Sequence, residues 1–328
     1  ATSILKPNSR QTGSFNPRLM AANSAAIRVT ADLPVAKPRE RGDWQWESLQ
    51  ARPASPEDRG REIGSVPPAA VADRPKAAAS TMNHQVRIDR FRSARGDHTL
   101  VVLEGFHPLK HAIRFGAELL DVVAAEDGDL EKLVAEYAPD TAAKVDEHVR
   151  VIPADVFAKL APVTPPTGVI AIAMRPKVSP VQMLDDQDPA PVVLLENPRN
   201  LLNIGAAIRV SAAAGAAGVL TTGPQDPWNP AAVIAATGLQ YAIPVTQIDS
   251  LPACHRPLVV IDPGGEPLRQ GLLPSNAILA FGAEREGLSR ELMARAAHCV
   301  SIPMSPGVSS LNLATAVSAV LYAWRLGL

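Results

Sequence analysis

Short apolar runs alternate with helical patterns throughout the second half of this chain. Residues 192–195, 218–221, 243–246, 257–261, 277–281 and 300–302 have the length and composition of strands, and helical patterns lie between most of them. Because such alternation is typical of parallel strands with helices packed on both faces, we expect a mostly parallel α/β sheet. In sheets of this kind, ligand sites form beyond the carboxyl ends of the strands.

The stretch from residue 99 to residue 174 shows the same alternation on a smaller scale. Strands are predicted at 99–103, 119–124 and 149–152, with helices at 108–118, 131–137 and 154–160. A further strand at 169–174 precedes a segment rich in Pro and Asp, 175–189, which is typical of a linker. We therefore expect an extension at 1–81, a small α/β domain at 82–162, a strand and linker at 163–190, and a second α/β domain at 191–328.

Prolines recur throughout residues 1–81 and interrupt every possible periodicity there. We expect this segment to be disordered. Because Met82 stands directly before the patterned region, we hypothesise that it is the natural start or that the residues before it are dispensable. Loss of folding or activity on deletion of residues 1–81 would contradict this hypothesis.

Composition excludes several classes of protein. With 328 residues and 46% hydrophobic content, the chain is long enough for two domains with cores. Its apolar runs are far shorter than the roughly 20 residues that span a bilayer, so we expect no membrane association. Cys254 and Cys299 lack the spacing of a zinc site or a disulfide framework, so a reducing cytoplasm is the expected location. His107 and His111 have a spacing that metals use, but no third ligand accompanies them, so we expect no metal.

Three motifs follow predicted strands in the second domain. They are Asn203-Ile204-Gly205-Ala206-Ala207-Ile208-Arg209, Phe281-Gly282-Ala283-Glu284-Arg285-Glu286-Gly287-Leu288, and Ile302-Pro303-Met304-Ser305-Pro306-Gly307-Val308-Ser309-Ser310-Leu311-Asn312. The second and third each end an apolar run and precede a predicted helix. Backbone N–H groups and small side chains therefore collect at the carboxyl edge of the sheet, where a ligand is expected.

The order, spacing and cores of these motifs resemble the SpoU/TrmH family of RNA ribose 2′-O-methyltransferases, within the SPOUT superfamily. Upstream, residues 103–112 resemble the family's small substrate-binding domain and residues 164–171 resemble the segment that leaves it, so the resemblance covers about residues 84–328. The chain departs from the family pattern at Leu201-Leu202, where a Pro-Gly or similar pair is usual. It departs again at Arg209-Val210-Ser211, where Arg-Thr-Ala is usual.

The resemblance implies a C-terminal trefoil-knotted SPOUT-type domain, in which the stretch after Phe281 threads through a preceding loop. It also implies that loops around Gly282, Ile302 and Leu311 meet in one cleft that holds S-adenosyl-L-methionine in a bent pose. The last helix, predicted at 311–326, is apolar nearly all round. Such a helix must be buried on more than one side, which favours a homodimer.

The resemblance further assigns candidate site residues. Arg209 matches the family's catalytic arginine, which stabilises the acceptor oxygen, grips an RNA phosphate and is able to act across the dimer. The other catalytic matches are Asn203, Glu284, Ser310 and Asn312, and the cofactor-binding matches are Gly282, Gly287, Ile302, Met304 and Leu311.

Structural roles for these residues remain open beside the functional ones. Asn203, Ser310 and Asn312 would equally serve as helix N-caps. Glu284 would be favoured by an adjacent helix N-terminus. Ile302 and Leu311 have the composition of core residues.

The formal net charge of −1 is unusual for a protein that binds RNA, because phosphate contacts leave a basic footprint. Four arginines, at positions 87, 90, 92 and 95, cluster at the start of the region that resembles the family. Contact with RNA and an ordinary solvated charged face are both compatible with this cluster.

We therefore expect S-adenosylmethionine-dependent methylation of a ribose 2′-hydroxyl in rRNA or tRNA. One alternative is a non-catalytic RNA-binding or ribosome-assembly module of the same fold. A second alternative is a nicotinamide-dependent oxidoreductase on a Rossmann sheet, which the lack of a glycine fingerprint in the sequence opposes.

Overall fold

The structure is a computed structural model and describes residues 83–327. The extension predicted to be disordered, 1–81, lies outside the described residues. Among residues 83–327, no helix combines the length and apolarity that crossing a bilayer requires. The first part contains α1 (His84–Ala94), β1 (Leu100–Glu104), α2 (Phe106–Arg114), β2 (Leu119–Ala125), α3 (Leu130–Tyr137), α4 (Ala142–His148), β3 (Val149–Ile152), α5 (Ala154–Phe157) and β4 (Val169–Met174).

These strands form a four-stranded sheet in the order β1-β4-β2-β3. Strand β4 lies antiparallel to both β1 and β2, with Ile172 opposite Val102 on one side and opposite Asp121 on the other. The first sheet therefore includes a strand that follows residue 160, where the sequence patterns placed the end of the small domain. Strand β4 pairs with β1 and β2, which are distant in the sequence, so no local pattern around residues 169–174 predicts this pairing.

The second part contains α6 (Pro180–Asp185), β5 (Val192–Leu195), α7 (Leu201–Ala214), β6 (Gly218–Thr221), α8 (Pro230–Ala236), β7 (Val245–Gln247), β8 (Leu258–Pro267), β9 (Ile278–Phe281), α9 (Arg290–Arg295), β10 (His298–Ser301) and α10 (Leu313–Leu326). All six strands are parallel, in the order β10-β8-β9-β5-β6-β7. One buried cluster joins α7, α8 and α10 to one face of the sheet, and another joins α6 and α9 to the opposite face. The predicted parallel sheet with helices on both faces is confirmed.

Strand β5 is the point at which the strand order reverses, because the chain continues to β6 on one side while β9 lies on the other. The last residues of β5 and β9, Leu195 and Phe281, are opposite each other in the register. The loops that follow these two strands therefore begin side by side. A reversal of this kind leaves a crevice at the carboxyl edge, where open α/β sheets bind ligands.

The segment predicted as a linker, 175–189, contains a helix. Ser179 caps α6 through its side chain and Pro180 occupies the first helical position, which is a favourable start. The buried guanidinium of Arg256 donates hydrogen bonds to four backbone carbonyls, those of Leu184, Asp186, Ala190 and Asn276. This side chain fixes the segment against the second sheet.

Helix α1 was not predicted, and it carries three of the four clustered arginines, while Arg95 is its C-cap. Arg87 is buried and pairs with the buried Asp121 at 3.4 Å, while Arg95 pairs with Glu104. The remaining pairs are Arg90 with Asp121 and Arg92 with Asp89. Three carboxylates of the small domain therefore offset most of the positive charge of the four arginines. Neither RNA contact nor a simple solvated face describes Arg87.

The two sheets are joined through α2 and the turn after α8. The Nδ1 atom of His111 lies 2.6 Å from the carbonyl oxygen of Thr237. Gly238 has a φ of +78° and packs so closely that a Cβ there would lie 2.6 Å from the carbonyl oxygen of Pro108. The Arg175 guanidinium adds an ion pair with Asp226 at 3.0 Å. The C-cap of α8 is Thr237, which has a φ of +56°, and Gly238 follows it and allows the close approach of α2.

Candidate active site

Three connecting segments lie beyond carboxyl strand ends in the second sheet: residues 196–200 after β5, 282–289 after β9 and 302–312 after β10. The helices after β9 and β10 were predicted to begin at 289 and 311, one or two residues before their observed starts, whereas the helix after β5 was predicted to begin at 204 and begins earlier, at Leu201. Helix α9 begins at Arg290 and α10 at Leu313. Most of the motif residues therefore lie in extended loops rather than in first helical turns.

Asn203 does not cap a helix, which corrects one structural interpretation. Helix α7 begins at Leu201, and its N-cap is Asn200, whose Oδ1 accepts hydrogen bonds from the N–H groups of Leu202 and Asn203. Because Asn200 satisfies these donors, the Asn203 side chain is available for other contacts.

A chain of side-chain hydrogen bonds joins the three motifs. The Nδ2 group of Asn312 donates to Asn203 Oδ1 at 2.9 Å, and Asn203 Nδ2 donates to Glu284 Oε1 at 2.9 Å. Asn312 also caps α10, because its Oδ1 accepts from the N–H groups of Ala314 and Thr315. The two amides and the carboxylate therefore fix the relative positions of α7, α10 and the loop after β9.

The carboxylate of Glu284 is stabilised by a helix N-terminus, as predicted. The helix is α7, however, and not α9, which follows Glu284 in the sequence. The Oε2 atom of Glu284 accepts a hydrogen bond from the backbone N–H of Arg199 at 3.2 Å. Partial burial raises the pKa of the Glu284 carboxyl. Hydrogen bonds from the Asn203 side chain and from nearby backbone N–H groups, including that of Asn200, outweigh this effect and hold the pKa below its usual value. The group is therefore ionised at neutral pH.

Gly282 and Gly287 shape the loop after β9 for different reasons. Ala283 and Gly287 exchange backbone hydrogen bonds of 3.0 and 3.2 Å, which closes a tight turn. A Cβ on Gly282 would lie 2.2 Å from the carbonyl carbon of Gly287, so no side chain fits there. Gly287 has a φ of +69°, a conformation that residues with a Cβ rarely adopt.

In the third motif, two residues near the start are half-buried, whereas the residues at the end are exposed. Ile302 and Met304 are partly buried, whereas Ser310 and Leu311 are exposed, Leu311 to 41%. Within the described part of the chain, the backbone N–H groups of Ile302, Met304 and Leu311 donate no hydrogen bond. The segment thus presents unused main-chain donors together with apolar side chains, a combination suited to a ligand with polar and apolar parts.

Arg209 is not part of the hydrogen-bonded chain. It lies six residues beyond Asn203 on α7, about 9 Å along the helix axis, and its side chain is exposed. The Arg209 side chain makes no hydrogen bond or ion pair with another described residue. Its charge does act on His107 and Lys110 of α2, whose pKa values it helps to lower.

Several residues of this region were not singled out from the sequence. Arg199 forms an ion pair with Glu286, and Glu196 accepts a hydrogen bond from the backbone N–H of Ser289 at 2.7 Å. Both contacts join the loops after β5 and β9, and no local sequence pattern signals them. In residues 83–327, no group of three or more His, Cys, Asp and Glu side chains has an arrangement that would hold a metal ion.

Replacement of Asn203 by aspartate tests the hydrogen-bonded chain. Asn203→Asp puts a carboxylate against Glu284 in place of the amide donor, so the two like charges repel and the loop after β9 shifts. Because displacement of about 1 Å can reduce a rate by about 10²-fold, we expect kcat/KM to fall by up to that factor at pH 7.5. Asn200→Asp is the matched control in the same helical turn, since aspartate caps a helix as well as asparagine does. Equal activity of the two variants would contradict a role for the Asn203 amide.

Comparison with known proteins agrees with this geometry. The SpoU rRNA Methylase family matches residues 190–322. A 23S rRNA (uridine(2479)-2′-O)-methyltransferase of Streptomyces viridochromogenes is 30% identical over 177 residues, which are 48% of this chain and 59% of that protein. A 23S rRNA (guanosine-2′-O-)-methyltransferase of Pseudomonas syringae pv. tomato is 30% identical over 171 residues, which are 47% of this chain and 68% of that protein.

A solved structure shares the fold. The SpoU methyltransferase AviRb from Streptomyces viridochromogenes, in complex with AdoMet, superimposes with a TM-score of 0.61 and 23% identity, covering 73% of this chain and 97% of that one. The sequence match and the fold both include the region that carries the three joined motifs. The chain belongs to the SpoU rRNA methylase family.

Proposed function

We propose that this protein methylates a ribose 2′-hydroxyl of 23S rRNA. Membership of the SpoU family makes it an RNA 2′-O-methyltransferase that uses S-adenosylmethionine. The observation that carries the proposal is the chain Asn312–Asn203–Glu284, which brings the three family motifs together at the carboxyl edge of the sheet. The choice of 23S rRNA is supported by the two relatives named above, which act on that RNA at different nucleotides.

The residues beyond β9 and β10 fit the cofactor. The free N–H groups of Ile302, Met304 and Leu311 suit its polar edges, and the exposed side chain of Leu311 suits the adenine ring. Gly282 permits the close turn that brings the loop after β9 to the same edge. When bound, the cofactor supplies an electrophilic methyl group on a sulfonium.

Glu284 acts as a positioning residue rather than as a general base. Both of its oxygens already accept hydrogen bonds, from Asn203 and from Arg199, and its pKa lies below the usual value. A carboxylate of lowered pKa is a poor acceptor for a proton from a ribose hydroxyl. Asn203 and Asn312 hold the loops in register, and the exposed hydroxyl of Ser310 lies at the edge of the third motif, available to a substrate.

Arg209 is proposed to contact the reacting group. A guanidinium beside the ribose oxygen stabilises negative charge as that oxygen gives up its proton to water. Arg209 shares an exposed face of α7 with Leu202, seven residues earlier, and lies away from the hydrogen-bonded chain of its own subunit. This placement favours action on the site of a partner subunit.

A homodimer is therefore part of the proposal. One face of α10 is buried against the core, while Tyr322 and Leu326 on another face are 40% and 66% exposed. Together with Leu202, which is 57% exposed, they leave apolar surface on both α7 and α10 uncovered in the monomer. Sedimentation analysis is expected to give twice the mass of one chain.

We further propose an RNA-binding domain at 82–162 whose sheet is completed by the strand of the 163–190 segment, followed by the linker part of that segment and a trefoil-knotted catalytic domain at 191–328. The arrangement of β10 beside β8, with the N–H of Leu268 just after β8 donating to the Ser301 carbonyl at 2.8 Å, supports passage of the last segment close to the loop that follows β8. The reaction on ribosomal RNA would take place in the cytoplasm.

Methylation of a panel of RNAs tests the function. The purified chain is incubated with labelled S-adenosylmethionine and unmodified transcripts of 23S rRNA, 16S rRNA and tRNA, and the product is digested to nucleosides for mass spectrometry. We expect one 2′-O-methylnucleoside, from 23S rRNA alone. Methylation of a base, or of tRNA only, would contradict the proposal, and RNA binding without any methylation would favour a non-catalytic role.

A further inference from the structure

We propose that Thr222 is a positioning residue for methyl transfer, because it fixes the conformation of the loop after β5, residues 196–200. The inference rests on the proposed function and adds to it a residue outside the three motifs. It also gives the junction between the two sheets a role in catalysis, since the segment that carries Thr222 is anchored at that junction.

Strand β5 lies between β9 and β6, and the loop that follows it is held from both neighbours. On the β9 side, the backbone N–H of Arg199 donates to Glu284. On the β6 side, the contact is made by Thr222, the first residue after β6. Its backbone N–H donates to the carbonyl of Leu195 at 3.0 Å, and its Oγ1 accepts from the backbone N–H of Asn197 at 2.9 Å. The hydroxyl therefore binds the loop just after the strand ends.

Asn197 is the point at which this loop turns. It has a φ of +49°, which residues with a Cβ rarely adopt, and asparagine is among the few that tolerate it. Its side chain packs against Gly223 so closely that a Cβ on that glycine would lie 2.4 Å from Asn197 Oδ1. Because Arg199 follows two residues later, a turn released at Asn197 would displace the N–H that binds Glu284. Displacement of about 1 Å near the reacting groups can reduce a rate by about 10²-fold.

The segment after Thr222 is anchored to the end of the first sheet. Asp226, four residues further on, pairs with Arg175 at 3.0 Å and accepts a hydrogen bond from the backbone N–H of Trp228 at 3.0 Å. Arg175 directly follows β4, and its guanidinium lies 5.7 Å from the centre of the Trp228 ring. The two side chains of the ion pair are only 15% and 26% exposed, so solvent screens it less than a surface pair. A continuous set of contacts thus leads from the small-domain sheet to the loop after β5.

Methylation of an unmodified 23S rRNA transcript by Thr222→Val, at saturating transcript and cofactor, tests the inference. Valine has nearly the shape of threonine but lacks the hydroxyl, so we expect kcat to fall by about 10- to 10²-fold. The Kd of S-adenosylmethionine should stay within several-fold of the wild-type value, because the loop after β5 is not among the residues that fit the cofactor. Thr222→Ser keeps the acceptor and should bring kcat back to within a few-fold of wild type.

Thr246→Val, on the neighbouring strand β7, is the matched control. It removes a threonine hydroxyl whose contact with the carbonyl oxygen of Gln247, at 3.5 Å, is at the limit of a hydrogen bond, so kcat should not change. Equal kcat for Thr222→Val and Thr246→Val would overturn the inference. A Thr222→Ser variant as slow as Thr222→Val would overturn it as well.

Arg175→Gln tests the role of the junction. Loss of the ion pair should lower kcat several-fold. The double variant with Thr222→Val should lose less than the product of the two single effects, since both act through one segment. Lys177→Gln removes an exposed lysine two residues away and should leave kcat unchanged. Effects of Arg175→Gln and Thr222→Val that simply multiply would refute the role of the junction.

Hydrogen exchange separates this inference from the proposed function, because it needs no turnover. In Thr222→Val, peptides that cover residues 196–203 should exchange about 10-fold faster than in the wild-type chain, and in Thr246→Val they should not. A wild-type chain that methylates no RNA would refute the proposed function. Unchanged exchange of residues 196–203 in Thr222→Val would refute the inference about Thr222, whatever the activity.

Discussion

Replacement of Arg209 by alanine is expected to abolish methyl transfer, with a loss of at least about 10²–10³-fold in kcat. The reason is that the exposed guanidinium is the group proposed to stabilise the developing charge on the ribose oxygen, and removal of one such donor has effects of this size. S-adenosylmethionine should bind to Arg209→Ala within several-fold of its wild-type affinity, because Arg209 lies outside the loops that fit the cofactor. Single-turnover kinetics and calorimetry separate the two quantities.

A mixing experiment shows in which subunit Arg209 acts. Arg209→Ala subunits are combined with Gly282→Ala subunits, which keep the arginine but lose the cofactor loop. If Arg209 acts across the dimer, a mixed dimer contains one complete site and activity returns. Wild-type turnover of Arg209→Ala alone would remove this residue from the mechanism.

Gly282→Ala is expected to weaken S-adenosylmethionine binding by about 10²-fold. The new methyl group would lie 2.2 Å from the carbonyl carbon of Gly287 and 2.4 Å from the backbone nitrogen of Leu288. Both contacts are with main chain, so the loop must open, and overpacking of this kind costs roughly 1–3 kcal/mol or more. The shift would also move Glu284 away from Asn203. Isothermal titration calorimetry measures the expected change.

Two other glycines provide graded controls. Gly287→Ala places its methyl group in open space but keeps a φ of +69°, so only backbone strain of roughly 1–2 kcal/mol applies and a loss of about 10-fold is expected. At Gly96, a methyl group would make an ordinary contact of 3.8 Å, and no change is expected. Equal affinities for Gly282→Ala and Gly96→Ala would contradict the proposed role of the loop.

The parallel sheet was predictable because its strands are short, wholly apolar and separated by helical patterns. Residues 192–195 and 218–221 were predicted with the bounds that the structure has. The motifs were also recognisable, since a glycine at 282 and polar residues at 284 and 312 sit where strands and helices meet. The structure adds the hydrogen-bond partners of these polar residues, which the sequence pattern does not identify.

Other features depend on contacts between distant residues. Asn200 and Asn203 are equally good caps by composition, and Glu284, more than 80 residues away, accepts from the backbone at the start of α7. Helix α1 has only a short apolar stripe, Ile88, Phe91 and Ala94, and its Arg87 is held by Asp121, 34 residues along the chain. The segment predicted as a linker contains α6, and Arg256 donates a hydrogen bond to the Leu184 carbonyl at the C-terminal end of this helix. In each case a long-range polar contact decides a structure that local propensity leaves open.

The sequence predicts the role of Arg209 but not its position relative to the other site residues. Its place in the first motif marks it as a site residue, but the sequence does not indicate that it lies outside the hydrogen-bonded chain of Asn312, Asn203 and Glu284. Seven residues make about two helical turns, so Arg209 shares an exposed face of α7 with Leu202. The proposal of a cross-subunit role depends on this face.

A crystal structure of the protein with S-adenosylmethionine tests the convergence of the three motifs most directly. We predict that the cofactor lies at the carboxyl edge of the parallel sheet, in contact with Gly282, Ile302 and Leu311, with backbone N–H groups of the third motif donating to it. A cofactor bound elsewhere, or one that touches only one of these three segments, would contradict the account.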